Sequence, residues 1–403
     1  MLPRILLLAV FAALLQTAPA PAQITVTKPT SMKSTMDFSG LTAAGDASSQ
    51  TFRKVLEADL IRSGYFAKSA PGQGEFAIKG SADLGGASLR ADITALGRAT
   101  QKTYLNKAYS TEAAAARRMA HQVADEIVEA ITGKKGFASA RMALVGNKTK
   151  HKELYLADSD GQGLIPLTRD NSISIAPAWG PDGRQLLYMS YMKNFPDAYL
   201  IEIASGKRKR IASYPGLNSS PTMSPDGKNI ALILSKDGNP ELYIKNLASE
   251  KLTRLTQTVK AGEASPCWSP DGSQIVYVSD SSGQPQLYVV SRDGGQSRRL
   301  TSRGYQNVSP DWSKNGLIAY ASLLGRRWSI QVLDPRTLDS KAITPADADY
   351  EDPSWAPDDR HIACGRSVQY SSKVYLLDIK GDPPLALTDY PGDWYSPAWS
   401  PSN

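Results

Sequence analysis

An all-β six-bladed propeller preceded by a small α/β domain is the fold the sequence predicts, on three observations. A Ser-Pro-x-Trp-Ser-Pro-Asp-Gly phrase recurs six times with substitutions. Its aromatic position falls at 179, 223 (Met), 268, 312, 355 and 399, in steps of 43 to 45 residues. A repeat of that length with strand character is a propeller blade. Each repeat also carries four short runs separated by Gly-bearing turns, as four strands per blade require. Upstream of the repeats, two segments have helical periodicity instead.

Residues 1–22 read as a secretory signal peptide. Arg4 precedes the apolar run Ile5 to Leu15, and Ala20-Pro21-Ala22 supplies a small-residue site with cleavage expected after Ala22. The run is too short to span a bilayer. No later stretch is longer, so an exported chain with no direct membrane insertion is expected. Residues 23–47 are polar and aperiodic, an expected N-terminal arm.

A small α/β domain is expected over 48–137. Its first helix is read over 46–66, with Phe52, Val55, Leu56, Leu60 and Ile61 on one stripe and Gly64 as a stop. Strands follow at 76–82, 88–96 and 103–109. A second helix runs from Glu112 to Thr132, with Met119, Val123, Ile127 and Ile131 on its apolar face and Gly133 after it.

The propeller is expected over 138–403. Its runs, such as Ile230 to Leu234 and Leu287 to Val290, are apolar at consecutive positions. Blades lie between blades, so both sheet faces are buried. In Pro-Asp-Gly, Pro presets φ, Asp bonds backbone N–H groups and Gly takes a positive φ. The Trp is expected to fill the gap between blades. The sixth repeat begins at Trp399, and its other strands are expected at Arg141 to Val145, Glu153 to Ala157 and Ile165 to Thr168. The C-terminal strand would thus close the ring and remove open sheet edges.

Composition excludes several classes. Two cysteines, Cys267 and Cys364, rule out a disulfide scaffold and a Cys-based zinc module; placed two blades apart, they are expected to be free thiols. His121, His151 and His361 are dispersed and read as structural or exposed. There is no nucleophile elbow, phosphate loop or H-E-x-x-H motif. Asp158-Ser159-Asp160-Gly161 opens like a calcium loop but lacks its later ligands and reads as a turn. Lys207-Arg208-Lys209-Arg210 reads as a charged outer edge rather than a nucleic-acid site. The net charge of +7 is moderate for this length. No catalytic residue, metal, cofactor or nucleic-acid partner is expected, and the chain is expected to be a monomer.

The Ser-Pro-x-Trp-Ser-Pro-Asp-Gly repeats, the signal peptide and the α/β domain together resemble the TolB family, periplasmic components of the Tol–Pal cell-envelope system. Asp59-Leu60-Ile61-Arg62-Ser63-Gly64-Tyr65-Phe66 resembles that family's first-helix ending. Thr132-Gly133-Lys134-Lys135-Gly136-Phe137 resembles its junction into the propeller, and Ser396-Pro397-Ala398-Trp399-Ser400-Pro401 its terminus. Segments preceding the innermost strands should gather at the channel mouth: Ser174 and Ile175, Asn218 and Ser219, Glu263 and Ala264, Asn307 and Val308, Tyr350 and Glu351, Trp394 and Tyr395. The resemblance implies that this rim receives a Pal-like peptidoglycan-associated lipoprotein. It also implies that the arm, Gln23, Ile24, Thr25, Val26 and Thr27, engages a TolA-like inner-membrane protein. The alternative is a periplasmic propeller enzyme or small-ligand binder using the central channel.

Overall fold

Residues 33–401 are described by the computed structural model of the chain. The expected signal peptide, its cleavage site and the arm residues Gln23 to Thr27 lie outside them. The later part of the expected arm is a strand. β1 (Ser34–Ala43) sits between β2 (Phe66–Lys68) and β3 (Phe76–Gly85), parallel to both. β4 (Ser88–Gly97) and β5 (Thr103–Glu112) continue the sheet antiparallel, in the order β2-β1-β3-β4-β5. A register shift between Asp37 and Gly40 breaks the alternation of β1. Its buried apolar residues therefore fall at 36, 38 and 41, a spacing that does not read as a strand.

Two helices, α1 (Ala47–Arg62) and α2 (Ala116–Thr132), pack on this sheet and on each other. Asp46 caps α1 by accepting the Ser49 N–H at 2.9 Å. The helix stops short of residue 66: Gly64 takes φ +74°, and Phe66 pairs with β1 instead. The stripe residues Phe52, Val55, Leu56 and Leu60 meet Met119, Val123 and Ile127 in one core.

Six four-stranded antiparallel sheets follow. The innermost strands are Ser174–Trp179, Asn218–Met223, Glu263–Trp268, Asn307–Trp312, Asp349–Trp355 and Trp394–Trp399 for blades 1 to 6. Trp394–Trp399 pairs with Arg141–Gly146, which pairs with Glu153–Asp158 and then Ile165–Pro166, so blade 6 joins both ends of the propeller. The ring is complete, because the innermost strands of blades 6 and 1 pack together like the other neighbours.

Three tryptophans bond across blades as their position predicts. Trp179, Trp268 and Trp355 donate Nε1–H to the carbonyls of Ala398, Thr222 and Asp311 in the preceding blade. Trp312 departs from this and donates to Gly316 in its own turn. That turn is one residue shorter than its counterparts: Trp312 to Ile318 spans six positions where Trp268 to Ile275 spans seven. Both cysteines are free, and burial pushes the Cys364 thiol far up, which makes it inert.

The α/β domain packs against the turns that follow the innermost and third strands of blades 5 and 6. Phe137 lies between His361 and Trp399. Arg360 pairs with Asp378 and donates to the Gly64 carbonyl at 2.9 Å. Arg117 of α2 bonds Asp158 and Asp160, at 3.2 and 2.7 Å. His121 bonds Asp59 through Nδ1 at 2.5 Å and faces Asp158 at 3.7 Å. The cluster His121, Asp158 and Asp160 has metal-like spacing, but the Arg117 guanidinium already supplies its positive charge. The Asp158–Gly161 segment is a turn.

Candidate functional site

The central channel is lined by the segments around the recurring proline of all six innermost strands and encloses about 530 Å³. The residue before each proline is left-handed: Ala176, Ser220, Ser265, Ser309, Asp352 and Ser396 have φ of 45° to 54°. Such backbone is unfavourable for non-glycine residues, and a following proline restricts it further. In every blade it coincides with a register shift in the pairing to the second strand. The six bulges bring these positions to the channel wall. Asp352 uses this to accept hydrogen bonds from Ser309 and Ser396, at 2.9 and 2.6 Å, linking blades 4, 5 and 6.

The next variable position also joins blades. Asp311 and Ser354 accept the backbone N–H groups of Trp355 and Trp399 in the following blades, at 2.6 and 3.1 Å. Cys267 Sγ accepts that of Trp312 at 3.3 Å. Burial raises the pKa of Asp311 despite these donors. Sequence reasoning missed this role, although aligning the repeats would have shown hydrogen-bonding side chains recurring at the x position.

The expected rim residues divide by strand alternation. Ser174, Asn218, Glu263, Asn307 and Trp394 open their strands and are buried, as is Tyr350, the second residue of its strand. This corrects the expectation that they present side chains at the mouth. Trp394 packs edge-on against Tyr155. Asn218 bonds the backbone of Tyr214 through both ends of its amide. Ser219, Val308, Glu351 and Tyr395 are part-exposed and Ala264 is exposed. Glu351 and Tyr395 line the channel, with Lys152 over the Tyr395 ring at 5.0 Å. Burial and the neighbouring Asp352 and Asp349 raise the pKa of Glu351.

Around this mouth stand side chains that sequence reasoning did not single out. Phe195, Val259, Tyr305, Leu324, Val368 and Tyr370 are large, apolar and exposed, Val259 at 92%. All six lie in or beside the links that join second to third strands or one blade to the next. Those links share the end of the ring opposite the turns that meet the α/β domain. The ring thus gathers these six exposed apolar groups at one end.

The comparisons with known proteins agree with this architecture. The family model described as the TolB beta propeller domain matches residues 128–403, well over half of the chain. The chain belongs to the TolB β-propeller family. A Tol-Pal system protein TolB from Chromobacterium violaceum is 33% identical over 150 residues, covering 37% of this chain and 35% of that protein. The Bordetella pertussis protein of the same name is 33% identical over 197 residues, covering 44% of this chain and 45% of its own. The aligned segments thus span less than half the length of these curated relatives. The crystal structure of TolB from Acinetobacter baumannii superposes with a TM-score of 0.82 at 25% identity, over 92% of this chain and 97% of that one. A hydrazine synthase from Kuenenia stuttgartiensis, at 13% identity and a TM-score of 0.53, shares the fold alone.

Proposed function

We propose that the protein is a non-catalytic periplasmic component of the Tol–Pal system. On this reading the channel mouth receives a Pal-like peptidoglycan-associated lipoprotein. The arm from Gln23 to Thr27 engages a TolA-like inner-membrane protein by adding a strand to its sheet. A role in outer-membrane integrity and envelope constriction at division follows from joining those two partners.

The observation that supports this most is the free face itself. It combines exposed apolar loop residues with a concave, half-buried polar centre, the composition of a protein interface with a desolvated middle. Glu351 and Tyr395 sit at that centre. Combining Glu351→Lys with Tyr395→Ala is expected to weaken binding of a Pal-like lipoprotein at least tenfold, about 1.4 kcal/mol. Calorimetric titration measures this, with the melting temperature as a check on folding; unchanged affinity would remove both residues from the site. Deleting 23–27 is expected to abolish capture of a TolA-like domain and leave lipoprotein affinity unchanged.

A further inference from the structure

Two equivalent positions flank each blade junction on the free face. One opens the third strand of a blade, and the other opens the innermost strand of the next. Between blades 3 and 4 these are Gln286 and Asn307, and the Asn307 amide donates to Gln286 Oε1 at 2.7 Å. Between blades 1 and 2 they are Asp197 and Asn218. Between blades 2 and 3 both are acids, Glu241 and Glu263, at 0% and 3% exposure.

Both carboxylates reach the hydroxyl of Thr258, at 3.2 Å from Glu241 Oε1 and 3.3 Å from Glu263 Oε2. That hydroxyl has one proton and a third acceptor in reach, the Ala261 carbonyl at 3.1 Å. Arg254 reaches only Glu241, at 2.9 Å. Ser279 donates to Glu263 Oε1 at 3.0 Å, and Glu241 Oε2 is buried with no partner. Two buried carboxylates facing one guanidinium leave a charge unbalanced, which a buried site strongly disfavours.

Tyr277 feels the negative charge of both carboxylates, and Tyr243 that of Glu241. Asp237, beside Lys236 and Tyr243, adds further negative charge near Arg254. Asp280 contributes an acceptor for the Gly262 N–H at 2.8 Å. Arg254 is thus the single cation bonded to the pair among the described residues.

We propose that Glu241 and Glu263 hold one proton between them, and that its loss releases the loop 257–262, which makes the free face proton-sensitive. The loop is tied to the pair directly: Thr258 donates its backbone N–H to Glu241 Oε1 at 2.6 Å. Val259, at the tip of the same loop, is among the apolar groups of the face. Burial first, and then the charge of Glu241, raise the pKa of Glu263 to about 7. Glu241 keeps its charge because Thr256, the Thr258 amide and Arg254 outweigh its own burial. A carboxyl raised in this way stabilises the fold fully below its ordinary value near 4.5, and the contribution is lost as pH rises through 7. The effect of this switch on partner affinity rests on the reading above; the switch itself does not.

Amide hydrogen exchange of the full chain in EDTA tests this at pH 5.5, 7.0 and 8.5, corrected for intrinsic rates. EDTA prevents a divalent cation from standing in for the proton. Protection over 257–262 is expected to fall at least tenfold from pH 5.5 to 8.5. In Glu263→Gln it should stay constant, because the substitution recreates the neutral character of the Gln286–Asn307 junction. Glu241→Gln should likewise flatten the profile, and 302–307 at the amide junction should not respond in any variant. A native profile without pH dependence would overturn the proposal, and so would one that persists in Glu263→Gln.

Discussion

Deletion of residues 396–403 is expected to lower the melting temperature by on the order of 10 °C or more. The truncation removes Trp399, which is buried against Phe137, and the pairing of Ala398 and Trp399 with Ala143 and Met142. It also strips the Trp179 indole of its acceptor at Ala398 and the Arg141 N–H of its acceptor at Ser400. Loss of one buried Trp costs about 3–5 kcal/mol. A domain of this size shifts by roughly 2–4 °C per kcal/mol. The second strand of blade 6, apolar and buried on both faces, would become an open edge and favour aggregation. Differential scanning calorimetry measures the effect, and an unchanged melting curve would contradict ring closure by this strand.

Replacement of His121 by Leu is expected to cost about 3 kcal/mol at pH 6, and much less near pH 10. The imidazole is buried between Asp59 of α1 and Asp158 of blade 6, with Arg117 and Asp160 beside them. Burial alone would push its pKa down, but Asp158 and Asp59 outweigh burial and hold it at about 9. The ordinary value is about 6.5. The contribution is therefore complete below pH 6.5 and disappears as pH rises through 9, and the size of the shift corresponds to about 3 kcal/mol. Urea unfolding of the native chain and of His121→Leu at pH 6, 7.5 and 9 measures it. A constant difference across that range would show that the histidine is held neutral.

The propeller was legible because its signal is repeated. The 44-residue spacing places every innermost strand, and it also shows that Trp399 needs partners from upstream. The α/β helices were legible from their stripes, since Phe52 to Leu60 and Met119 to Ile127 do form the shared core. β1 was not, because the bulge after Asp37 puts its apolar residues out of period. Asp37 is buried in that strand, where Arg98 and the N–H groups of Ser39 and Gly72 satisfy it. Such compensation comes from distant parts of the chain and leaves no local pattern.

The rim was half legible. Repeat alignment finds which segments reach the channel mouth, but successive strand residues face opposite ways. Six of the twelve expected rim residues are consequently buried between blades. The apolar loop residues went unnoticed because Phe195, Val259 and Tyr370 stand singly among polar neighbours, and only the ring collects them on one face. The meeting of His121 with Asp59 and Asp158 depends on packing between the two domains. No spacing in the sequence announces it.

The seal of blade 6 also has a kinetic meaning. Arg141 and Ser400 are 259 positions apart and bond to each other, so this contact is among the most non-local a chain can make, and such contacts form slowly. Until the last strand has been synthesised, blade 6 lacks its inner member and the toroid stays unlatched. If the chain is exported as proposed, it could in that condition still be threaded lengthwise through a narrow translocation pore, and would acquire its locked form only on the far side.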